Sequence, residues 1–86
     1  MRSSAAAVSA RVETLILRHH DGDHSVAARR IGIEQERLMG LLSGNWELFS
    51  LDAIAAVVDR HPVSVAWLLG MTNLDEARAR VPSAHA

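Results

Sequence analysis

The chain has 86 residues and 9.4 kDa, with 49% hydrophobic, 22% charged and 3% aromatic residues, a formal net charge of −1 and no cysteine. That length holds one small domain of globular composition, whose single modest core leaves little room for a deep substrate cavity, so binding is favoured over catalysis. Disulfides and thiolate metal sites are excluded, and no apolar run approaches the ~18 residues of a membrane span, since AIAAVV at 53–58 is closed by Asp59 and Arg60.

The start, MRSSAAAVSARVE, has no apolar stretch before charge returns at Arg11 and Glu13, which argues against a secretory leader and makes the cytoplasm the expected location. Val8, Val12, Leu15, Ile16 and His19 then recur as one stripe of an amphipathic helix, predicted over about 5–19. Asp21 and Gly22 form a turn, and Asp23 stands where its carboxylate can cap a second helix over about 24–31, ended by Gly32. A third helix is predicted over 35–42, with Ile33, Leu38, Leu41 and Leu42 facing inward and Ser43-Gly44 closing it; Gly40 inside it costs about 1 kcal/mol against alanine.

Ser50 is a strong N-cap, and Phe49 and Ile54 have the spacing of a hydrophobic staple, opening a fourth helix to about Arg60 with Leu51, Ile54, Ala55 and Val58 on its buried face. Pro62 blocks its continuation, Ser64 caps again, and Val63 and Leu68 staple a short fifth helix over 65–69 before Gly70. Residues 1–72 thus form a compact all-α domain, and 73–86 an extension with room for a short extra helix around 73–80 before it frays. Met39, Leu48, Trp67, Leu69 and Met71 are the apolar residues hardest to fit inside so small a core.

Charge is uneven along the chain. Residues 1–33 carry +2, residues 34–59 carry −4 and residues 60–86 carry +1. His20 and His24 are four apart, but Asp21-Gly22 breaks the helix that would align them, so no metal site is expected. No serine–histidine–aspartate or paired-carboxylate arrangement can be named, and neither an enzyme nor a cofactor is expected.

Within SVAARRIGIEQERLMGLLSG, Ala28 lies four before Gly32, and Leu38 and Leu41 lie six and nine after it. A small residue lets two helices cross closely, the glycine makes the tight turn, and the leucines seat the second helix on the first. This pattern resembles the helix-turn-helix of the lambdoid phage repressor and Cro family (XRE-like), and the resemblance extends over roughly residues 8–71 through FSLDAIAAVV and VSVAWLLG. It implies a five-helix lambda-repressor-like domain that binds double-stranded DNA, with the helix over 35–42 in the major groove.

By that resemblance Gln35, Glu36 and Arg37 are the candidate base contacts: the glutamine amide suits adenine, the guanidinium suits guanine, and the carboxylate accepts from cytosine N4. His24 and Ser25, with the amides opening the second helix, suit a backbone phosphate, as do Asn45 and Trp46 in the loop after the recognition helix. Trp67, Leu69 and Met71 lie where members of the family pair, and imply a homodimer. The expected function is a repressor-type transcriptional regulator on a pseudo-palindromic operator. The alternative is a protein-interaction module, antitoxin-like or adaptor, on the same scaffold, and Glu34 and Glu36 beside the recognition residues favour it.

Overall fold

A computed structural model describes residues 4–72. The helical turns expected around 73–80, and the rest of the 73–86 extension, lie outside the described residues. The chain folds as α1 (Ala5–His20), α2 (His24–Ile31), α3 (Gln35–Leu42), a 3₁₀ turn (Trp46–Leu48), α4 (Leu51–Arg60) and α5 (Val65–Leu68), with no strand among the described residues. None of these helices is long and apolar enough to cross a membrane.

Each helix starts on a side chain that satisfies an otherwise unpaired amide, except α3. Ser4 Oγ accepts from Ala7 N–H, Asp23 Oδ1 from Ser25 and Val26, Ser50 Oγ from Ala53, and Ser64 Oγ from Trp67. Glu34 precedes α3 with no side-chain cap. At the end of α2, Gly32 adopts φ +90°, and the amides of Gly32 and Ile33 both donate to Ala28 C=O at 2.9 and 3.1 Å. The left-handed conformation, open to glycine without a Cβ clash, turns the chain into α3 within three residues.

α1 is the central element, packing on α2, α3 and α5, while α4 packs on α2, α3 and α5. The core takes Val8, Val12, Leu15 and Ile16 from α1, Ala27, Ala28 and Ile31 from α2, Leu38 and Leu41 from α3, and Ala53 and Val57 from α4. Val63, Trp67 and Leu68 close it from the α5 end, and Ser9 Oγ donates to Leu42 C=O at 2.7 Å, tying α1 to the end of α3.

Two faces differ from expectation. On α1 the buried residue of the last turn is His20, and His19 is exposed, because His61 at the end of α4 meets His20 across the bundle. On α4 the core face is Ala53 and Val57; Ile54 and Val58 are half-buried, Ala55 is exposed and Leu51 is 83% exposed. The apolar run AIAAVV offers several nearly equivalent stripes, so the neighbours of α4 choose among them. The small Ala53 lets α4 approach closely, while Phe49 and Ile54 both pack, half-buried, on the core. Ile33 and Leu42 likewise pack on its margin.

Candidate functional site

α3 is held from behind by Leu38 and Leu41, and the three residues of its first turn, Gln35, Glu36 and Arg37, all stand exposed on the surface. The structure thus brings the three candidate base contacts together on one exposed turn. Arg37 is not unengaged there: its Nε lies 3.4 Å from Glu34 and its Nη1 4.0 Å from Asp52 at the start of α4. Such exposed pairs contribute only about 0–1 kcal/mol each, so the guanidinium can be drawn off by a stronger acceptor.

The start of α2 differs from the expected phosphate anchor. The amides of Ser25 and Val26 donate to Asp23 Oδ1, both at 3.0 Å, and these bonds, with Val26 foremost, hold the Asp23 carboxyl below its ordinary range. The imidazole of His24 turns to Glu13, Nε2 to Oε1 at 3.1 Å. A carboxylate already occupies the donors that a phosphate would need, with the Ser25 hydroxyl also turned toward Asp23. His20 and His24 diverge, one toward His61 in the core and the other toward Glu13 at the surface. Among the described residues no group of three or more histidine, cysteine or acidic side chains could hold a metal ion.

After α3 the chain doubles back on it. Ser43 Oγ donates to Gly40 C=O at 2.6 Å and accepts from Asn45 N–H at 3.1 Å, and Asn45 Oδ1 accepts from Glu47 N–H at 3.0 Å. The carbonyl of Asn45 is thereby committed to capping the 3₁₀ turn. Trp46 is exposed along much of its ring, which meets Phe49 edge to face at 4.9 Å between centroids. Asn45 and Trp46 are both exposed, in the turn that follows α3.

Gly40 is the contact point of this turn with α3. A Cβ there would stand 2.5 Å from Leu48 C=O, so the missing side chain admits the backbone of the turn. Beside this contact a groove of about 500 Å³ is lined by Glu36, Arg37, Met39, Gly40, Leu48 and Phe49, with Glu47 on its rim. Met39 and Leu48 are 43% and 57% exposed. Sequence reasoning missed this groove, although its signal was present in the apolar residues too numerous for the core.

The three expected dimer residues separate. Trp67 is only 6% exposed and belongs to the core of its own chain, with the Arg11 guanidinium 4.9 Å above its ring. Arg11 Nη1 also donates to Trp67 C=O at 2.6 Å and Thr72 C=O at 2.8 Å, clamping the end of α5 to α1. The expectation that Trp67 presents its ring to a partner is thus corrected: in a small bundle it is the residue that fills the end of the core. Leu69 is half-buried, and Met71 is exposed together with Val65. Neither a family model, nor a curated protein, nor a solved structure matches this chain.

Proposed function

We propose that this chain is a cytoplasmic, repressor-type DNA-binding regulator with a lambda-repressor-like helix-turn-helix. In this reading α3 enters the major groove, and a homodimer reads a pseudo-palindromic operator. The observation that carries the reading is the combination at α3: an inner face seated by Leu38 and Leu41, and a first turn whose Gln35, Glu36 and Arg37 all stand in solvent.

A rigidly seated helix with a free first turn is what base-edge contact requires. The Gln35 amide offers a donor and an acceptor to adenine, Arg37 leaves its weak pair with Glu34 for guanine or a phosphate, and Glu36 selects cytosine and penalises other bases. Asn45 and Trp46, fixed by the 3₁₀ turn, supply polar hydrogens at the backbone. Of the expected pairing residues, the exposed Met71 and the half-buried Leu69 are open to a second copy, with the exposed Val65 at the start of α5.

Genomic footprinting of the tagged full chain tests this. Enrichment of palindromic sites, lost on substitution of Gln35 and Arg37, is the expected result; uniform coverage would sink it. A second reading, an interaction module of antitoxin-like or adaptor type, draws on the carboxylates of Glu34, Glu36, Glu47 and Asp52 around Arg37.

A further inference from the structure

We propose that the groove between α3 and the 3₁₀ turn Trp46–Leu48 is a docking site for a basic, amphipathic segment of a partner protein, seated by its apolar side chains on Met39 and Leu48 and by its cations on Glu36 and Glu47.

The groove is built rather than incidental. Its floor exists because Gly40 lets the Leu48 carbonyl come to a distance that a Cβ would forbid. Its walls are held by the Ser43 and Asn45 hydrogen bonds and by Phe49, which packs on the core and against the Trp46 ring. A preformed concavity lowers the ordering cost that binding must overcome. At about 500 Å³ it lies within the range of sites that accept ligand side chains.

Its chemistry selects the occupant. Met39 and Leu48 line the groove with about half their surface exposed, Trp46 stands exposed in the same 3₁₀ turn as Leu48, and clustered apolar exposure of this kind marks a contact surface. Methionine adapts its shape to a docked side chain, and an exposed tryptophan is a frequent anchor of binding energy. The lining carries Glu36 and Glu47, and the one cation of the lining, Arg37, is balanced by Glu34 and Asp52. That surplus of negative charge repels phosphates and attracts arginine or lysine. An amphipathic helix presenting apolar residues at i and i+4, flanked by cations, matches both features at once.

The inference goes beyond the DNA reading and competes with it for one surface, because a docked segment covers Glu36 on α3 and excludes a duplex from the same turn. The test uses the intact chain and a phage-displayed library of random helical peptides, followed by titration of the enriched peptides into wild type, Leu48→Ser and the pair Glu36→Gln/Glu47→Gln. These residues are exposed, and circular dichroism of each variant confirms that it folds. The expected result is enrichment of peptides with aliphatic or aromatic residues spaced i, i+4 among arginine and lysine. Their affinity should fall about tenfold or more in Leu48→Ser, and should fall in the double variant and at high salt.

No enrichment, or peptides indifferent to both variants, overturns the proposal. Self-association of the chain alone that Leu48→Ser abolishes overturns it in favour of a second copy. Peptide binding by a chain that enriches no genomic site supports the docking site and sinks the DNA reading. Operator binding with no peptide enriched does the reverse.

Discussion

His20 and His61 meet Nε2 to Nε2 at 3.0 Å, one from the last turn of α1 and the other from the residue that follows α4, and both are buried. Their tautomers follow from the remaining contacts. His61 Nδ1 lies 2.6 Å from Val57 C=O, so it carries a proton and donates; when His61 is neutral its Nε2 is a lone pair that accepts from His20 Nε2–H. His20 Nδ1 is left buried with no hydrogen-bond partner. Burial first, then His61, Arg30 and His19, push the His20 pKa below its ordinary 6.5, against a smaller opposing effect of Asp21.

Acid should therefore destabilise the fold through this pair. Because the folded pKa of His20 is depressed, the stability it supports is present above pH ~6.5 and is lost as pH falls through the folded value. Thermal melts between pH 8 and 5 should show the midpoint dropping below about 6.5, and His20→Gln, which keeps an N–H but does not titrate, should flatten that drop. A His20→Gln profile with the wild-type slope would assign the acid sensitivity to other groups.

Gly40→Ala gives a sign opposite to the one helix propensity implies. In an exposed helix the exchange stabilises by about 1 kcal/mol. Here the new Cβ meets Leu48 C=O, and relieving that overlap by moving the 3₁₀ turn should cost about 1–3 kcal/mol net. Urea unfolding of the two proteins reads the difference, and a stabilised variant would show that the turn moves aside freely.

Trp67 separates stability from association. Trp67→Ser should destabilise by about 3–5 kcal/mol, the range for removing a large core aromatic, and yield unfolded chain rather than folded monomer. Arg11→Met keeps the covering stem but removes the donors to Trp67 and Thr72, and should cost about 1–3 kcal/mol. Met71→Ser should leave the melting temperature nearly unchanged and, if Val65, Leu69 and Met71 pair two copies, weaken the dimer in sedimentation. A monomeric wild type at high concentration would remove that surface from the account.

The charges around α3 predict opposite effects on DNA. Gln35→Ala and Arg37→Ala should each lose about 1–3 kcal/mol on the operator and far less on random duplex. Glu36→Gln should tighten binding to random duplex, since a carboxylate near phosphates repels them, and should narrow the gap between operator and random sequence by lifting the penalty on bases other than cytosine. Fluorescence titrations at two salt concentrations distinguish these classes, and three indifferent variants would count against α3 as the DNA-facing helix.

Local chemistry made much of the architecture legible before any contact was known. Asp23, Ser50 and Ser64 announce their helices because a side-chain oxygen beside an unpaired amide is a short-range relation, and Gly32 ends α2 for the equally local reason of its left-handed backbone. Val8, Val12, Leu15 and Ile16 declare the face of α1 because their spacing admits one stripe. What the tertiary structure alone decided are the relations between residues far apart in the chain: the face of α4, where Ala53 and Val57 are buried in place of the expected Leu51 and Ala55; the inward turn of His20 to a partner 41 residues on; the burial of Trp67 under Arg11; and the groove that Gly40 opens to Leu48. Each depends on which surface another helix presents, and periodicity carries no such information, because burial is settled by the mutual packing of all the elements at once.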